Sequence, residues 1–199
     1  MKKLAPIILF TYKRLDTLKT TIHFLKKNKL ANKSNIYIYS DFYKTNVDKV
    51  NVMKVRKYLK EINGFNQKKI ILRKKSYGLA KNIINGVSEV LKKNNKVIVL
   101  EDDIRVSKYF LDYMNQALNL YEKKKKIWHI SGWNYNVKVF STHDAYFTRT
   151  MNCWGWATWK DRWAYFNKNP NFTCFSIIFD PDSMVAPPPL TRGAFGCLA

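Results

Sequence analysis

Cysteine pairs at metal-binding or disulfide spacing are missing from this chain of 199 residues. Its three cysteines, Cys153, Cys174 and Cys197, are odd in number and form no CxxC. That excludes a zinc ribbon and a disulfide framework, and it suits a reducing cytosol. His23, His129 and His143 lack HxxH and HxxxH spacing, which argues against a histidine-held metal. No GxxxxGK(S/T) occurs, so a P-loop NTPase has no phosphate cradle. RRM, KH and helix-turn-helix signatures are also lacking, which weakens a nucleic-acid-binding reading. No stretch approaches the ~20 apolar residues of a membrane span. The run Leu4 to Phe10 behind Met1-Lys2-Lys3 stops at Thr11, too short for a signal peptide. The expectation is a cytoplasmic protein, soluble or peripheral on the inner face of a membrane.

Acids are scarce. Fourteen Asp and Glu stand against 36 Lys and Arg, a net charge of +22. Such a field favours anionic partners, among them an anionic membrane surface. Most of the cations are lysines accompanied by many asparagines, as an AT-rich genome would produce, and lysines along helices are ordinarily a solvated face. A specific nucleic-acid partner is therefore not expected.

Strand and helix signals alternate along the chain. Pro6 to Phe10, Ile36 to Tyr39, Ile70 to Leu72, Val97 to Leu100 and Ile127 to Ile130 read as strands. Between them, Leu15, Leu18, Ile22 and Leu25 mark a helix. Val47 to Ile62 reads as another, carrying Val50, Tyr58 and Leu59. Leu79, Ile83, Val87 and Val90 mark a third that Gly78 opens, and Tyr109 to Tyr121 is the fourth. This rhythm predicts an α/β fold with a mainly parallel, right-handed sheet. All six tryptophans lie between Trp128 and Trp163, and they predict a smaller Trp-rich layer beside the sheet.

Val97-Ile-Val-Leu-Glu-Asp-Asp103 is the most informative stretch. A buried strand runs into three carboxylates whose mutual repulsion a divalent cation would relieve; a solvated acidic turn is the plainer alternative. Three more polar clusters follow predicted strands: Thr11-Tyr12-Lys13-Arg14, Ser40-Asp41, and Ser76 to Asn82. In open α/β sheets, ligands bind beyond the carboxyl ends of the strands. Arg14 and a helix N-terminus suit phosphates, and an Asp at a strand end suits a base or ribose.

Together with Gly78-Leu-Ala-Lys-Asn82, these motifs resemble a GT-A fold, family 2-type glycosyltransferase. Trp128-His-Ile-Ser-Gly-Trp-Asn134 and Trp154-Gly-Trp-Ala-Thr-Trp159 resemble bacterial members of the branch related to N-acetylglucosaminyltransferase I. The resemblance spans about residues 5 to 168. It implies a nucleotide-sugar donor in the UDP-linked form and a cofactor that is Mn2+ or Mg2+. It implies Asp103 on the metal, and Thr11, Arg14, Asp41, Asn82, Glu101 and Asp102 around the donor. Trp154 and Trp156 fall on the acceptor side, toward a glycan or lipid-linked glycan in bacterial surface polysaccharide synthesis. Residues 1–131 would form the nucleotide-sugar part and 132–168 the acceptor side.

The catalytic base is unassigned. In this branch it is expected downstream of the Trp-rich segment, where the composition changes: residues 169–199 contain no Lys and carry Pro187-Pro-Pro189. A frameshift or a premature stop would produce such a tail. A truncated relative that binds donor without transferring sugar is therefore the competing expectation. Asp161 is the nearest upstream carboxylate, and Asp180 and Asp182 fall within the tail.

Overall fold

The computed structural model of the chain describes residues 3–134, 146–148 and 151–166. Twelve residues from Leu15 to Lys26 (α1) follow the first strand, Ile7–Thr11 (β1). Next come β2 (Asn35–Ser40), α2 (Asn46–Glu61), β3 (Gln67–Leu72), α3 (Leu79–Leu91), β4 (Lys96–Glu101) and α4 (Phe110–Leu120). Two further strands, β5 (Ile130–Ser131) and β6 (Trp156–Trp159), precede a short α5 (Lys160–Trp163).

These strands make one sheet in the order β3-β2-β1-β4-β6-β5. The pairs β1–β2, β1–β4 and β2–β3 are parallel, as the alternation of strands and helices predicts. Every residue of β1 is buried, which is why it reads as a continuous apolar run rather than an alternating one. At the other extreme β3 is the edge, and Lys68 and Lys69 on it discourage pairing with another chain. Two apolar clusters sandwich the sheet. Leu18, Ile22 and Leu25 of α1, Val55 and Leu59 of α2, and Leu111 and Met114 of α4 pack on one face. Val87, Val90 and Leu91 of α3 pack on the other.

Two sequence expectations change. The fifth strand begins at Ile130 rather than Ile127 and is two residues long. Trp156–Trp159 is a strand within the sheet, antiparallel to both β4 and β5, so part of the Trp-rich segment extends the sheet itself. It is buried on both faces, so it shows no alternation for a periodicity argument to detect. On α2, Val52, Val55 and Leu59 face inward, while Val50 is 62% exposed.

Candidate functional site

Register places the carboxyl ends of the first four strands side by side. Thr11 pairs with Ser40, Phe10 with Glu101, and Ser40 with Leu72. From β1 the chain steps outward through β2 to β3, then returns through α3 to β4 on the far side of β1. The reversal falls between β1 and β4, where an open α/β sheet leaves a crevice at its strand ends. The loops Tyr12–Arg14 and Asp102–Asp103 border it.

These two loops are clamped together. The Asp102 carboxylate is 2% exposed and accepts from the Tyr12 backbone N–H at 3.1 Å. Arg14 donates through Nη2 to Asp102 at 2.6 Å and through Nη1 to Asp103 at 2.8 Å. The guanidinium thus offsets the repulsion for which the sequence suggested a cation. It does so incompletely. Burial, then the neighbouring Asp103 and Asp102, push the Glu101 carboxyl above its ordinary value. Burial also raises Asp102, against the lowering pull of the Tyr12 N–H and Arg14. Desolvation opposes the charge on Arg14, but the two aspartates outweigh it and raise its pKa.

Among the three acids, Asp103 has the side chain that reaches solvent beside the crevice, 43% exposed against 3% for Asp102. Among the described residues no three His, Cys, Asp or Glu side chains converge into a metal cage. A Mg2+-like ion bridging phosphates needs only one or two carboxylates, because phosphate oxygens and water complete its shell. An accessible Asp103 fits that arrangement, and it does not fit a metal held by protein alone.

On the β2 side, Asp41 is nearly buried and fully engaged. It accepts from the backbone N–H of Phe42 at 2.9 Å, Tyr77 at 2.9 Å and Gly78 at 2.9 Å. It therefore fixes the turn into α3, where Gly78 takes a left-handed φ of 72° open to a residue without Cβ. Any base reaching Asp41 would share it with these amides. Thr11 is buried beneath the same loops, its hydroxyl 3.5 Å from the Tyr39 carbonyl. Asn82 is also buried, its side-chain oxygen accepting from Arg73 Nε at 3.0 Å. Thr11 and Asn82 thus shape the site from beneath.

Arg73 and Arg56 are not among the site residues read from the sequence, and Tyr12 and Tyr39 appear there only within a polar cluster and a strand. Arg73 lies between the rings of Tyr39 and Tyr77, 4.8 Å and 4.7 Å from their centroids, and donates to Glu89 at 2.9 Å. Its Nη2 is buried without a hydrogen-bond partner among the described residues, and the two aromatic faces supply the compensating attraction. Arg56 donates to the carbonyls of Asp41 and Arg73 at 3.2 Å and 2.8 Å, holding the ends of β2 and β3. The Tyr12 hydroxyl donates to Asp48 at 2.9 Å and accepts from the Lys44 N–H at 3.0 Å, which ties the crevice to the first turn of α2. Rarity was the available signal. The chain has seven arginines, and four of them (Arg14, Arg56, Arg73 and Arg162) make multiple directed contacts, as the planar fork favours.

The Trp-rich segment divides. Trp154 is 48% exposed and stands edge-on to Trp133 at 4.5 Å. Trp156 is 8% exposed, belongs to the apolar cluster on the α3 face of the sheet, and has the His129 and Trp163 rings beside it at 5.5 Å and 5.9 Å. Because Trp156 pairs with Val99, Trp154 and Gly155 lie toward the crevice end of β4. Trp159 pairs with Lys96, so Asp161 sits at the opposite edge of the sheet, where Lys125 at 2.5 Å and Arg162 at 2.9 Å engage it. That position removes Asp161 as a base for chemistry in the crevice. Asp180, Asp182 and the change of character after residue 168 lie outside the described residues. Burial lowers the His129 imidazole to about 4, so the ring stacked on Trp156 is neutral at physiological pH.

Comparison with known proteins adds a family. A model of the GNT-I family matches residues 1–172. A segment of 54 residues is 39% identical to an alpha-1,3-mannosyl-glycoprotein 2-beta-N-acetylglucosaminyltransferase of Arabidopsis thaliana, covering 27% of this chain and 12% of that protein. Among solved structures, TarS of S. aureus is similar at a TM-score of 0.43 and 15% identity, over 61% of this chain and 20% of that one. A mannosyltransferase from Pyrobaculum calidifontis, solved with GDP-Man and Mn2+, is similar at a TM-score of 0.45 and 8% identity, over 65% and 36% of the two chains. The chain thus spans well under two thirds of each of these proteins.

Proposed function

This chain belongs to the GNT-I family, and we propose that it is a glycosyltransferase that takes its sugar from a nucleotide-sugar donor bound at the carboxyl ends of β1, β2 and β4. The observation that carries this reading is the clamp of Arg14 on Asp102 and Asp103 across the β1–β4 switch point. It gathers a cation for phosphate and an accessible carboxylate for a metal at the place where such sheets bind nucleotides. The donor is a UDP-sugar. The acceptor is a glycan or lipid-linked glycan of a bacterial cell surface, and the reaction takes place on the cytoplasmic side of the membrane.

Asp103 would hold Mn2+ or Mg2+, which when bound neutralises charge on the leaving diphosphate. Arg14 lies within reach of the same phosphates. The acceptor hydroxyl forms a bond to the anomeric carbon as the carbon–oxygen bond to the diphosphate breaks, and a carboxylate base takes the hydroxyl proton. That base lies outside the crevice residues described, since Asp102 is buried against Arg14 and Asp161 is at the far edge. We assign residues 1–131 to donor binding. Residues 132–168 form the acceptor side, with Trp154 presenting an indole face on which a sugar ring can stack.

The test is consumption of a panel of radiolabelled UDP- and GDP-sugars with short glycan acceptors, with Mn2+ and with EDTA. The expected result is acceptor-dependent release of the nucleoside diphosphate, favouring UDP-sugars and abolished by EDTA. Asp161→Asn should leave that rate unchanged. No consumption of any nucleotide sugar, or a rate indifferent to EDTA, would contradict the proposal.

A further inference from the structure

The inner face of α2 is fully used, yet its outer face is also apolar. Val52, Val55 and Leu59 are buried at 0% exposure, while Val47, Val50 and Met53 are exposed at 85%, 62% and 52%. Spaced by three, the exposed residues form one row along the outer side of a 3.6-residue helix. The row is ~9 Å long at 1.5 Å per residue. Solvated lysines surround it: Lys49, Lys54, Lys57 and Lys60 on the helix and Lys44 just before it. Of the acids on this helix, Asp48 is paired with Lys13 and Glu61 lies at the last turn. Helix propensity does not call for valine on a solvent-facing side; lysine or glutamate would serve better.

We propose that the outer face of α2 is a membrane-docking surface, which lays Val47, Val50 and Met53 into the interface of an anionic bilayer while the flanking lysines meet lipid phosphates. Apolar residues ringed by lysine on one helix face are the composition of helices that lie in the plane of a bilayer. Each lysine near an anionic surface adds attraction that salt screens. Charge also selects between occupants. A second copy seated on this face would bring lysines against lysines, whereas an anionic bilayer complements them.

Position gives the surface a consequence. The first turn of α2 is tied to the crevice through Asp48, which accepts from Tyr12 at 2.9 Å and Lys13 at 2.7 Å. Docking through Val47 and Val50 therefore holds the β1–β4 crevice close to the bilayer, where an amphiphilic substrate would be presented. Among the described residues no helix is long and apolar enough to cross a membrane, so attachment by this face would be reversible. The inference goes beyond the transferase reading, and its test reads membrane binding alone.

The experiment is co-sedimentation with vesicles of phosphatidylcholine alone and of phosphatidylcholine mixed with phosphatidylglycerol, at low and high salt. The parent chain should pellet only with the anionic vesicles and less at high salt. Val47→Gln/Val50→Gln/Met53→Gln keeps the charge and should weaken partitioning by about tenfold or more. Lys49→Glu/Lys57→Glu should do the same, whereas Lys92→Glu/Lys93→Glu, the same charge change beyond the far end of α3, should stay within about twofold of the parent. Circular dichroism confirms folding, and Val50→Gln alone replaces the triple variant if that one misfolds. Three outcomes would overturn the proposal. One is no binding of anionic vesicles by the parent, and another is apolar-face variants binding as well as the parent. The third is a concentration-dependent dimer, seen by sedimentation velocity, that the apolar-face variants abolish.

Discussion

Trp159→Ala should cost about 3–5 kcal/mol of folding stability, the range for emptying a large aromatic site in a core. Trp159 is 1% exposed, the last residue of β6, and belongs to the apolar cluster on the face of the sheet that α4 covers. Its indole N–H donates to the Leu118 carbonyl at 3.0 Å, and the Arg162 guanidinium lies 4.2 Å from its ring. Arg162 in turn donates to the carbonyls of Tyr121 and Glu122 at 3.1 Å and 2.8 Å, satisfying groups that the end of α4 leaves open. Truncation therefore creates a cavity and loosens the contact that ties α5 to α4. Urea unfolding checks this, with Trp154→Ala as the control: the exposed tryptophan should change stability by less than about 0.5 kcal/mol. Equal losses at the two positions would mean that β6 is not part of the core sheet.

The Arg14→Ala chain should be destabilised in a pH-dependent way. Glu101 and Asp102 both titrate above their ordinary values because they are buried among like charges. A carboxyl with a raised folded pKa binds its proton more tightly in the native state. Stability from that source is present below the unfolded pKa and is lost as pH rises through the folded one. Arg14 offsets this loss at neutral pH by pairing with Asp102 and Asp103. Without it, the deficit relative to the parent should be about 1–2 kcal/mol at neutral pH and should shrink as pH falls and Glu101 and Asp102 take up protons. That figure is discounted because half of the Arg14 side chain is exposed to solvent. Melting temperatures of both chains between pH 4 and 8 give the difference directly, cancelling carboxylates common to both. A deficit that is the same at every pH would show that Arg14 acts through packing rather than charge.

Much of this site could be read in advance. Apolar runs of β-branched residues fall on β1, β2 and β4, and the polar clusters after them meet at one edge because parallel strands put their carboxyl ends together. What the sequence withheld is mostly non-local. Nothing near Trp156–Trp159 signals that it pairs antiparallel with a strand some sixty residues earlier, and burial on both faces erases its period. The repulsion among Glu101, Asp102 and Asp103 suggested a cation; the partner that the fold supplies is an arginine 88 residues away from Asp102. Asp41 looked like a ligand-binding carboxylate, and the amides that occupy it arrive from the turn before α3. On α2, amphipathic spacing alone cannot distinguish the core stripe of Val52, Val55 and Leu59 from the exposed row that holds Val50, because the helix carries both.

The most direct measurement of the donor-site account is calorimetric titration of UDP into the parent chain with Mn2+ and with EDTA, repeated on Asp103→Asn. Asp103 is the accessible member of the acidic cluster, so the metal should join it to the diphosphate, and removing either should weaken binding by about tenfold or more. The account predicts binding in Mn2+ that is lost in EDTA and in the Asp103→Asn chain, with that chain still folded by circular dichroism. UDP affinity that is the same with Mn2+ and EDTA, or the same in Asp103→Asn as in the parent, would contradict it.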